Sequence, residues 1–454
     1  MSIAGRKAGA AGVAGWVLFD WAAQPFFTLV TTFVFAPYFA SALAATPAEG
    51  QALWGYATSA AGLAIALLAP FLGCVADAGG ARKPWIAALA VPYVLSCLAL
   101  WWAVPGTGYG IAVALAGYAL GTLAIEFATV FNNSMMGSLV ARDRLGRLSG
   151  AGWAVGYLGG LVSLVIVLGF MAANPETGKT LLGADPLFGL DPAAREGDRA
   201  SGPFSALWFL VFVLPMFLFT PDEPRRMGVR AAVRQGLASL RRSLADVRQV
   251  PGMARFLIAN MLYNDGLVAL FAFGGIYAAG VLGWGTIQIG TFGILLTITG
   301  TIGALTGGWL DDLIGSRKVI LGALGGLILC GLGLVSVDRD TVFFVFDVTP
   351  AAPGALFGSL PDLMFLVLGG CIGALAGPLQ SAARSLLVHL APEGRQGQFF
   401  GLLALSGKVT SFLAPLAVAL VTTATASQAA GMAVILVFFA GGAFVLAGLK
   451  SNRG

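Results

Sequence analysis

The chain has few charged residues for its length. Of its 454 residues, 10% are Asp, Glu, Lys or Arg, whereas 58% are hydrophobic. A water-soluble domain carries about 25% charged residues because it needs them to cover its surface. The composition therefore excludes a large soluble protein.

Metal-binding and nucleophilic groups are also scarce. The sequence has one histidine, His389, and its four cysteines form no CxxC pair and fall in apolar stretches. We interpret those cysteines as small core residues. The ATP-binding signature GxxxxGK[ST] does not occur. We therefore expect no metal, no cofactor and no ATP-driven pumping, and an intramembrane enzyme is disfavoured.

Long apolar stretches are the main feature of the sequence. About 20 residues, rising 1.5 Å each, cross the roughly 30 Å hydrocarbon core of a bilayer. Because lipid offers the backbone no hydrogen bonds, such stretches must be helices. We predict an all-α polytopic membrane protein with twelve transmembrane helices, near 13–43, 52–76, 84–103, 109–139, 149–172, 204–220, 255–281, 287–310, 319–336, 361–388, 399–423 and 429–449.

The basic residues lie mostly on one side of this topology. The loops on the side of the two termini hold Arg6, Lys7, Arg82, Lys83, Arg142, Arg144, Arg147, Arg317, Lys318, Arg395, Lys450 and Arg453, whereas the opposite loops are acidic. The positive-inside rule therefore predicts cytoplasmic termini in a plasma membrane, such as a bacterial inner membrane. The net charge of +5 then needs no nucleic-acid partner.

The segment between helices 6 and 7 has a different character. It is rich in arginine, and helical spacing places five apolar residues on one face: Val233, Leu237, Leu240, Leu244 and Val247. This pattern predicts an amphipathic helix that lies on the lipids of the cytoplasmic leaflet. The predicted organisation is an N-terminal bundle (1–220), this linker (221–254) and a C-terminal bundle (255–454). Outer loops 173–203 and 337–360 are interpreted as solvated connectors.

A loop motif occurs twice at identical spacing. Gly73-x-x-x-Asp77-x-x-Gly80-x-Arg82-Lys83 follows helix 2, and Gly308-x-x-x-Asp312-x-x-Gly315-x-Arg317-Lys318 follows helix 8. The duplication predicts two parallel six-helix repeats. A carboxylate at the C-terminal end of a helix needs a cation or a neighbouring helix N-terminus. The motif resembles the signature loop of the major facilitator superfamily, which implies gating contacts that hold one closed state. Alternatively, the basic residues only anchor the topology.

Five ionisable residues fall inside predicted spans: Asp20, Glu126, Asp265, Arg384 and Lys408. Each costs roughly 2.5–3.5 kcal/mol at the bilayer centre, so such residues face a bundle interior or a cavity and are candidates for function. The alternatives are structural ion pairs and, for Lys408, a side chain that reaches the cytoplasmic face.

Polar residues accompany these charges at helical spacing. Helix 4 carries Thr122, Glu126, Thr129 and Asn133 on one face, and Pro25 can free a backbone carbonyl in helix 1. The predicted substrate- or ion-binding residues are Asp20, Gln24, Glu126, Thr129, Asn133, Asn260, Tyr263, Asn264, Asp265, Gln380, Arg384 and Lys408.

The balance of these charges suggests a mechanism. Three carboxylates accompany two cations, and a buried carboxylate without a cationic partner tends to take up a proton. We therefore expect a proton-coupled cycle in which Asp20, Glu126 or Asp265 is the protonation site, with Glu126 as the first choice. An amino acid would suit the site, with its carboxylate at Arg384 and its ammonium group at an acid such as Asp265.

Several segments resemble one known family. Asp20-Trp21-Ala22, Tyr263-Asn264-Asp265-Gly266 and Gln380-Ser-Ala-Ala-Arg384-Ser385 are similar to helices 1, 7 and 10 of the vacuolar amino-acid effluxers, an autophagy-linked branch of the major facilitators with bacterial members. The resemblance implies the major facilitator fold, a central cavity lined by helices 1, 4, 7 and 10, and transport of a small solute such as an amino acid. We expect a monomeric symporter that works by alternating access.

Two other functions remain open from the sequence. An exporter of drugs or metabolites has the same fold, and a cavity lined by Trp21, Phe26 and Phe27 would favour it. A membrane receptor that transports nothing is the alternative from another class.

Overall fold

The described residues contain twelve candidate membrane helices, the number predicted. The structure, a computed structural model, describes residues 8–45, 47–175, 177–284, 286–348 and 357–449. In these ranges, twelve helices are long and apolar enough to span a bilayer. The predicted basic anchors Arg6, Lys7, Lys450 and Arg453 lie outside the described residues.

The first six spans and the linker helix follow the chain in order. Their bounds are Ala10–Pro25 continued by irregular turns to Leu43 (helix 1), Pro47–Gly79 (helix 2), Lys83–Ala99 (helix 3), Gly110–Leu139 (helix 4), Leu145–Phe170 (helix 5), Glu196–Arg199 with Ser201–Phe212 and Leu214–Phe219 (helix 6) and Val229–Gln249 (linker helix).

The remaining six spans complete the chain. They are Met253–Tyr277 (helix 7), Thr286–Ile314 (helix 8), Ser316–Val335 (helix 9), Leu360–Leu390 (helix 10), Gln396–Lys408 with Leu413–Thr425 (helix 11) and Gln428–Ala447 (helix 12). A short antiparallel hairpin, β1 (Thr341–Val342) and β2 (Phe346–Asp347), lies in the second outer loop. Residues 349–356 of that loop are outside the described ranges.

The helices group into two compact units. Unit 1 consists of Met1–Ala141, Val155–Arg241 and Gly394–Gly401, and unit 2 of Arg142–Ala154, Arg242–Glu393 and Leu402–Gly454. The start of helix 5 therefore groups with unit 2, and the start of helix 11 with unit 1. Chain order alone places both segments in the opposite half.

Helix 1 becomes irregular after its proline. Pro25 has no N–H for the carbonyl of Trp21, four residues earlier, and π-helical turns occupy Phe26–Phe33. The indole N–H of Trp208 on helix 6 donates to that carbonyl at 3.0 Å. The carbonyl freed by Pro25 is thus satisfied by a side chain of another helix, as lipid-embedded backbone requires.

Helix 6 begins earlier than predicted. The sequence predicted a connector over 173–203 from its Pro, Gly and Asp content, but the chain is helical from Glu196. Arg195 pairs with Asp198 at 2.7 Å, and Arg199 donates to the carbonyl of Trp101 at 2.9 Å. These charges are satisfied within the fold, so they do not end the helix.

Helix 11 is not continuous, contrary to the prediction of one helix over 399–423. Residues 409–412 are non-helical, between Lys408 and Leu413. Pro415 explains the break, because it cannot donate to the carbonyl of Ser411 and its ring would clash there. A proline is well accommodated in the first turn of the new helix that begins at Leu413.

The linker helix packs on helix 2 through small residues. Ala232 is buried, and a side chain added at Gly236 would lie 2.6 Å from Val75 Cγ2. Val233 and Leu237, from the predicted lipid face, are exposed. Of the cysteines, Cys74, Cys97 and Cys330 are buried as expected, but Cys371 is exposed and is therefore no core residue.

Candidate functional site

Asp20 and Gln24 occupy one face of helix 1, next to helix 5. Both side chains are half-buried. A side chain added at Gly156 would lie 3.5 Å from Asp20 Cβ and 3.6 Å from Gln24 Oε1. At Gly160 it would lie 2.4 Å from Thr28 Oγ1. The glycines of helix 5 thus give this polar face its room, and Thr28, which the sequence reasoning left out of the site, extends it.

The predicted polar residues of helix 4 are partly accessible, although most of their neighbours on the helix are buried. Between Gly121 and Met136, most residues are buried, but Thr122, Glu126, Thr129 and Asn133 are all partly accessible. The threonine hydroxyls at 122 and 129 bond to their own helix backbone, at 2.8 Å each. Because polar groups in a span avoid lipid, we expect this line to face water or other protein groups and not lipid.

On helix 7, the two asparagines bind helix 11. Asn260 Nδ2 donates to Ser406 Oγ at 2.9 Å, and Asn264 Nδ2 donates to the carbonyl of Gly407 at 3.1 Å. Tyr263 points to another side of the helix and packs against Gly442 of helix 12. Tyr263 is thus buried between helices 7 and 12, and its predicted role in binding stays a prediction.

Asp265 is fully enclosed, with 1% of its surface exposed. Its Oδ1 atom has no hydrogen-bond partner among the described residues. A buried carboxylate oxygen without a donor is unusual and costly, which makes Asp265 a candidate for function on geometry as well as on sequence.

Arg384 of helix 10 is buried against an aromatic ring. Its exposed fraction is 6%, and its guanidinium carbon lies 5.1 Å from the ring centroid of Trp153. Gln380, one turn away, donates to the carbonyl of Ala376 at 3.3 Å. Lys408, in the last turn of the first part of helix 11, is half-buried.

The first motif loop contacts the N-terminus of helix 11. Asp77 Oδ1 accepts the N–H of Gly397 at 2.9 Å, and Oδ2 accepts the N–H of Gln398 at 2.7 Å. Gly73 touches Gly397 so closely that an added side chain would overlap the backbone. A carboxylate at a helix N-terminus is stabilised by the free N–H groups and by the helix dipole.

Arg82 is the centre of a buried ionic network in unit 1. Its side chain is 1% exposed and pairs with Asp77 at 3.2 Å and with Glu223 at 2.8 Å. Asp222 accepts the backbone N–H groups of Arg82 and Lys83, at 2.9 Å each. The sequence reasoning missed Asp222 and Glu223, although two acids directly after a membrane helix are a signal for such pairing.

The second motif loop repeats the contact of its aspartate but not of its basic residues. Asp312 accepts the N–H of Gly146 at 2.8 Å and that of Arg147 at 3.1 Å, at the start of helix 5. Arg147, not Arg317 or Lys318, forms the ion pair with Asp312, at 3.2 Å. Arg317 instead donates to the carbonyl of Ala447 at 2.6 Å.

Within each unit, the structure places the predicted site residues as follows. In unit 1, Asp20 lies with Gln24, and Glu126 with Thr129 and Asn133. In unit 2, Asn260 and Asn264 hold helix 11, while Arg384 lies over the Trp153 ring. The binding role of each residue remains a prediction.

Comparison with known families gives one match that covers most of the chain. A family model described as "Vacuole effluxer Atg22 like" matches residues 49–454. The MFS-type transporter YxiO of Bacillus subtilis (strain 168) is 23% identical over 440 residues, which cover 95% of this chain and 93% of YxiO. Autophagy-related protein 22 of Yarrowia lipolytica is 23% identical over 304 residues, covering 62% of this chain and 46% of that protein. The match therefore spans about half of this fungal relative's length.

Solved transporter structures share the fold. The major facilitator FucP has a TM-score of 0.69 at 16% identity, covering 97% of this chain and 99% of FucP. The human organic anion transporter MFSD10 has a TM-score of 0.68 at 17% identity, covering 96% of this chain and 99% of MFSD10. The predicted major facilitator fold is confirmed.

Proposed function

Because the chain belongs to the vacuole effluxer Atg22-like family of major facilitator transporters, we propose that it moves a small polar solute, such as an amino acid, by proton-coupled alternating access. The fold and the family support a secondary transporter. The nature of the solute, the coupling and the direction are the proposal.

The accessible polar line on helix 4 carries this proposal. Glu126, Thr129 and Asn133 are partly accessible in a stretch that is otherwise mostly buried. A polar surface inside a membrane span is costly unless it lines water or a ligand. A transporter needs such a surface for its solute, whereas a passive scaffold does not.

Arg384 is the residue best suited to hold an anionic group of the solute. It is buried, and its guanidinium carbon lies over the Trp153 ring, 5.1 Å from the ring centroid. Such a fixed arginine presents paired donors that match a carboxylate. An amino acid or another small carboxylate is therefore the preferred solute class.

Glu126 is the proposed proton carrier. It is half-buried on the accessible line of helix 4, where it can exchange a proton with water and still sit inside the span. Protonation neutralises the carboxylate and so lowers the free-energy cost of enclosing it in a dry environment. Proton binding is thereby linked to the conformational cycle.

The motif loops are the proposed gates. Asp77 and Asp312 each bind a helix N-terminus through two backbone N–H groups. These contacts would hold one state of the cycle and open in the other. We place the protein in the plasma membrane with cytoplasmic termini, from the distribution of Arg and Lys.

Ligand-induced stabilisation of the purified protein tests the solute class. We expect an amino acid or small carboxylate to raise the unfolding temperature of the wild type, and Arg384→Ala to abolish that shift. Arg339→Ala, which removes an exposed arginine of unit 2, is the control and should keep it. If no such solute stabilises the wild type, or if Arg384→Ala retains the shift, the proposed solute site is wrong.

Uptake into proteoliposomes tests the coupling. With an imposed proton gradient, the wild type should accumulate the solute, and Glu126→Gln should exchange it without accumulation. The control Glu393→Gln changes an exposed glutamate and should behave as the wild type. Unchanged accumulation by Glu126→Gln would remove Glu126 from the proton pathway.

A drug or metabolite exporter would instead be stabilised by apolar compounds.

A further inference from the structure

The break in helix 11 interrupts the helical hydrogen bonding in the middle of a membrane span. Residues 409–412 are non-helical, and the carbonyl of Ser411 has lost its helical donor because residue 415 is proline. Non-helical backbone at membrane depth is tolerated where it is buried in protein or lines a cavity, and discontinuous helices commonly carry ion sites.

Helix 7 holds the first part of the broken helix close to its own surface. The bonds Asn260–Ser406 and Asn264–Gly407 fix the last turns before the break. Both asparagines use their amide N–H groups for this purpose. The result is a defined position for the unwound segment beside Asp265, the next residue of helix 7.

The polar atoms at this point are unsatisfied. The Thr410 side chain lies next to the Asp265 carboxyl. Nevertheless, Asp265 Oδ1 and Thr410 Oγ1 are both buried without a hydrogen-bond partner among the residues described. Asp265 also forms no ion pair with any described residue. Nearby Lys408 has an interaction of its own.

The chemistry of these groups favours a cation. A carboxylate oxygen, a hydroxyl oxygen and a freed main-chain carbonyl are all hard oxygen donors, and the carboxylate supplies one negative charge. One charge and few ligands suit a monovalent ion better than Ca²⁺ or Mg²⁺, which require six or more oxygen ligands and usually more charge. A bound ion would also remove the cost of the buried, unsatisfied carboxylate.

We propose that Asp265, Thr410 and the unwound backbone of helix 11 form a binding site for a monovalent alkali cation, with Na⁺ as the ion. As a coupling site it rests on the proposed transport function, but as a cation site it does not. It uses none of the residues of the proposed proton site on helix 4.

The test is direct binding to the purified full-length protein. In a choline chloride buffer, added NaCl should raise the unfolding temperature of the wild type by about 3 °C or more, in a saturable manner. Radioactive sodium should bind with the same midpoint. If NaCl has no effect beyond that of choline chloride and no radioactive sodium binds, the proposal is overturned.

Three variants locate the ion. Asp265→Asn and Thr410→Val keep the side-chain volumes and should each weaken Na⁺ binding by about tenfold or more. Pro415→Ala gives Ser411 back a helical donor and should also weaken it. Thr425→Val is the matched control on the same helix, because its exposed hydroxyl donates to the backbone carbonyl of Val421, one turn earlier. Its affinity should equal that of the wild type.

Other outcomes distinguish the competing explanations. If Thr410→Val lowers the unfolding temperature equally in Na⁺ and in choline, Thr410 is only a hydrogen-bond donor to Asp265, and the proposal fails. If methylammonium stabilises the protein through Asp265 and Thr410 whereas Na⁺ does not, the site takes the ammonium group of a solute, and the alkali cation is excluded. Na⁺ binding without any transport would instead contradict the proposed function and leave the site intact.

Discussion

Asp77 accepts the backbone N–H of Gln398 at 2.7 Å, across more than 300 residues of sequence. In unit 2, Asp312 accepts the N–H of Gly146 at 2.8 Å in the same manner. Each motif aspartate therefore holds the start of a helix that belongs to the other half by chain order. The identical spacing of the two motifs thus has a structural counterpart. The main partner of each aspartate is a helix N-terminus and not the basic pair of its own motif.

Asp77→Asn should lower the thermal stability of the protein. The substitution removes a negative charge from the N-terminus of helix 11 and one of the two carboxylates that pair with buried Arg82. The loss of both interactions should lower the free energy of unfolding by about 1–2 kcal/mol. Asp312→Asn should cost less, because its partner Arg147 is largely exposed. Unfolding followed by tryptophan fluorescence in detergent measures both. An equal or larger loss for Asp312→Asn would contradict this ranking.

The motif glycines should differ in their tolerance of alanine. Gly80 has φ +83°, and an added side chain would lie 2.3 Å from the carbonyl of Pro224. Gly315 has φ +91° but, in the described part of the chain, no atom within 4 Å of that position. We expect Gly315→Ala to cost about 1–2 kcal/mol from backbone strain alone and Gly80→Ala to cost more.

Gly62 provides the control for that comparison. It lies in helix 2, where an added side chain meets no described atom within 4 Å. Gly62→Ala should therefore leave the unfolding temperature unchanged or raise it slightly, since alanine favours the helix by up to about 1 kcal/mol. If Gly80→Ala is as harmless as Gly62→Ala, the close contact with the carbonyl of Pro224 is not important.

Trp208→Phe should destabilise the protein by about 1–2 kcal/mol, because the part-buried carbonyl of Trp21 loses its indole donor. In a Pro25→Ala background, residue 25 can donate to that carbonyl, so the same substitution should cost less. A double-mutant cycle of unfolding temperatures measures this coupling. Additive effects would show that Trp208 contributes only its ring packing.

Arg384→Lys should reduce solute affinity by about tenfold or more, although the charge is kept. Lysine lacks the planar guanidinium that lies over the Trp153 ring and can present two parallel donors. The measurement is the solute concentration that half-saturates the thermal shift. The exposed substitution Arg339→Lys serves as its control. Equal affinity for Arg384→Lys would indicate that only the charge is used.

The spans were predictable because each depends on local composition. Hydropathy locates twelve helices, and the repeated motif locates the corresponding turns in both halves. The residues of the polar stripe on helix 4 were also predictable, since they follow helical spacing from Thr122 to Asn133.

The break in helix 11 was not predicted, because prolines occur in many membrane helices that continue past them. Pro415 lies in an apolar stretch that reads as one span, and only the tertiary structure shows that Asn260 and Asn264 bind the chain before the break. The partner of Asp77 was equally hidden, because a backbone N–H exists at almost every residue and leaves no mark in a sequence.

The bond between Trp208 and the carbonyl of Trp21 joins residues 187 positions apart. That carbonyl needs the indole N–H because a third residue, Pro25, cannot donate to it. The tryptophan compensates for a defect that the proline introduces. In descendants that lose the proline, selection for an indole at position 208 should relax, and in those that keep it, few other side chains can take over. The two positions are thus expected to be inherited as a pair, although they do not belong to the same helix.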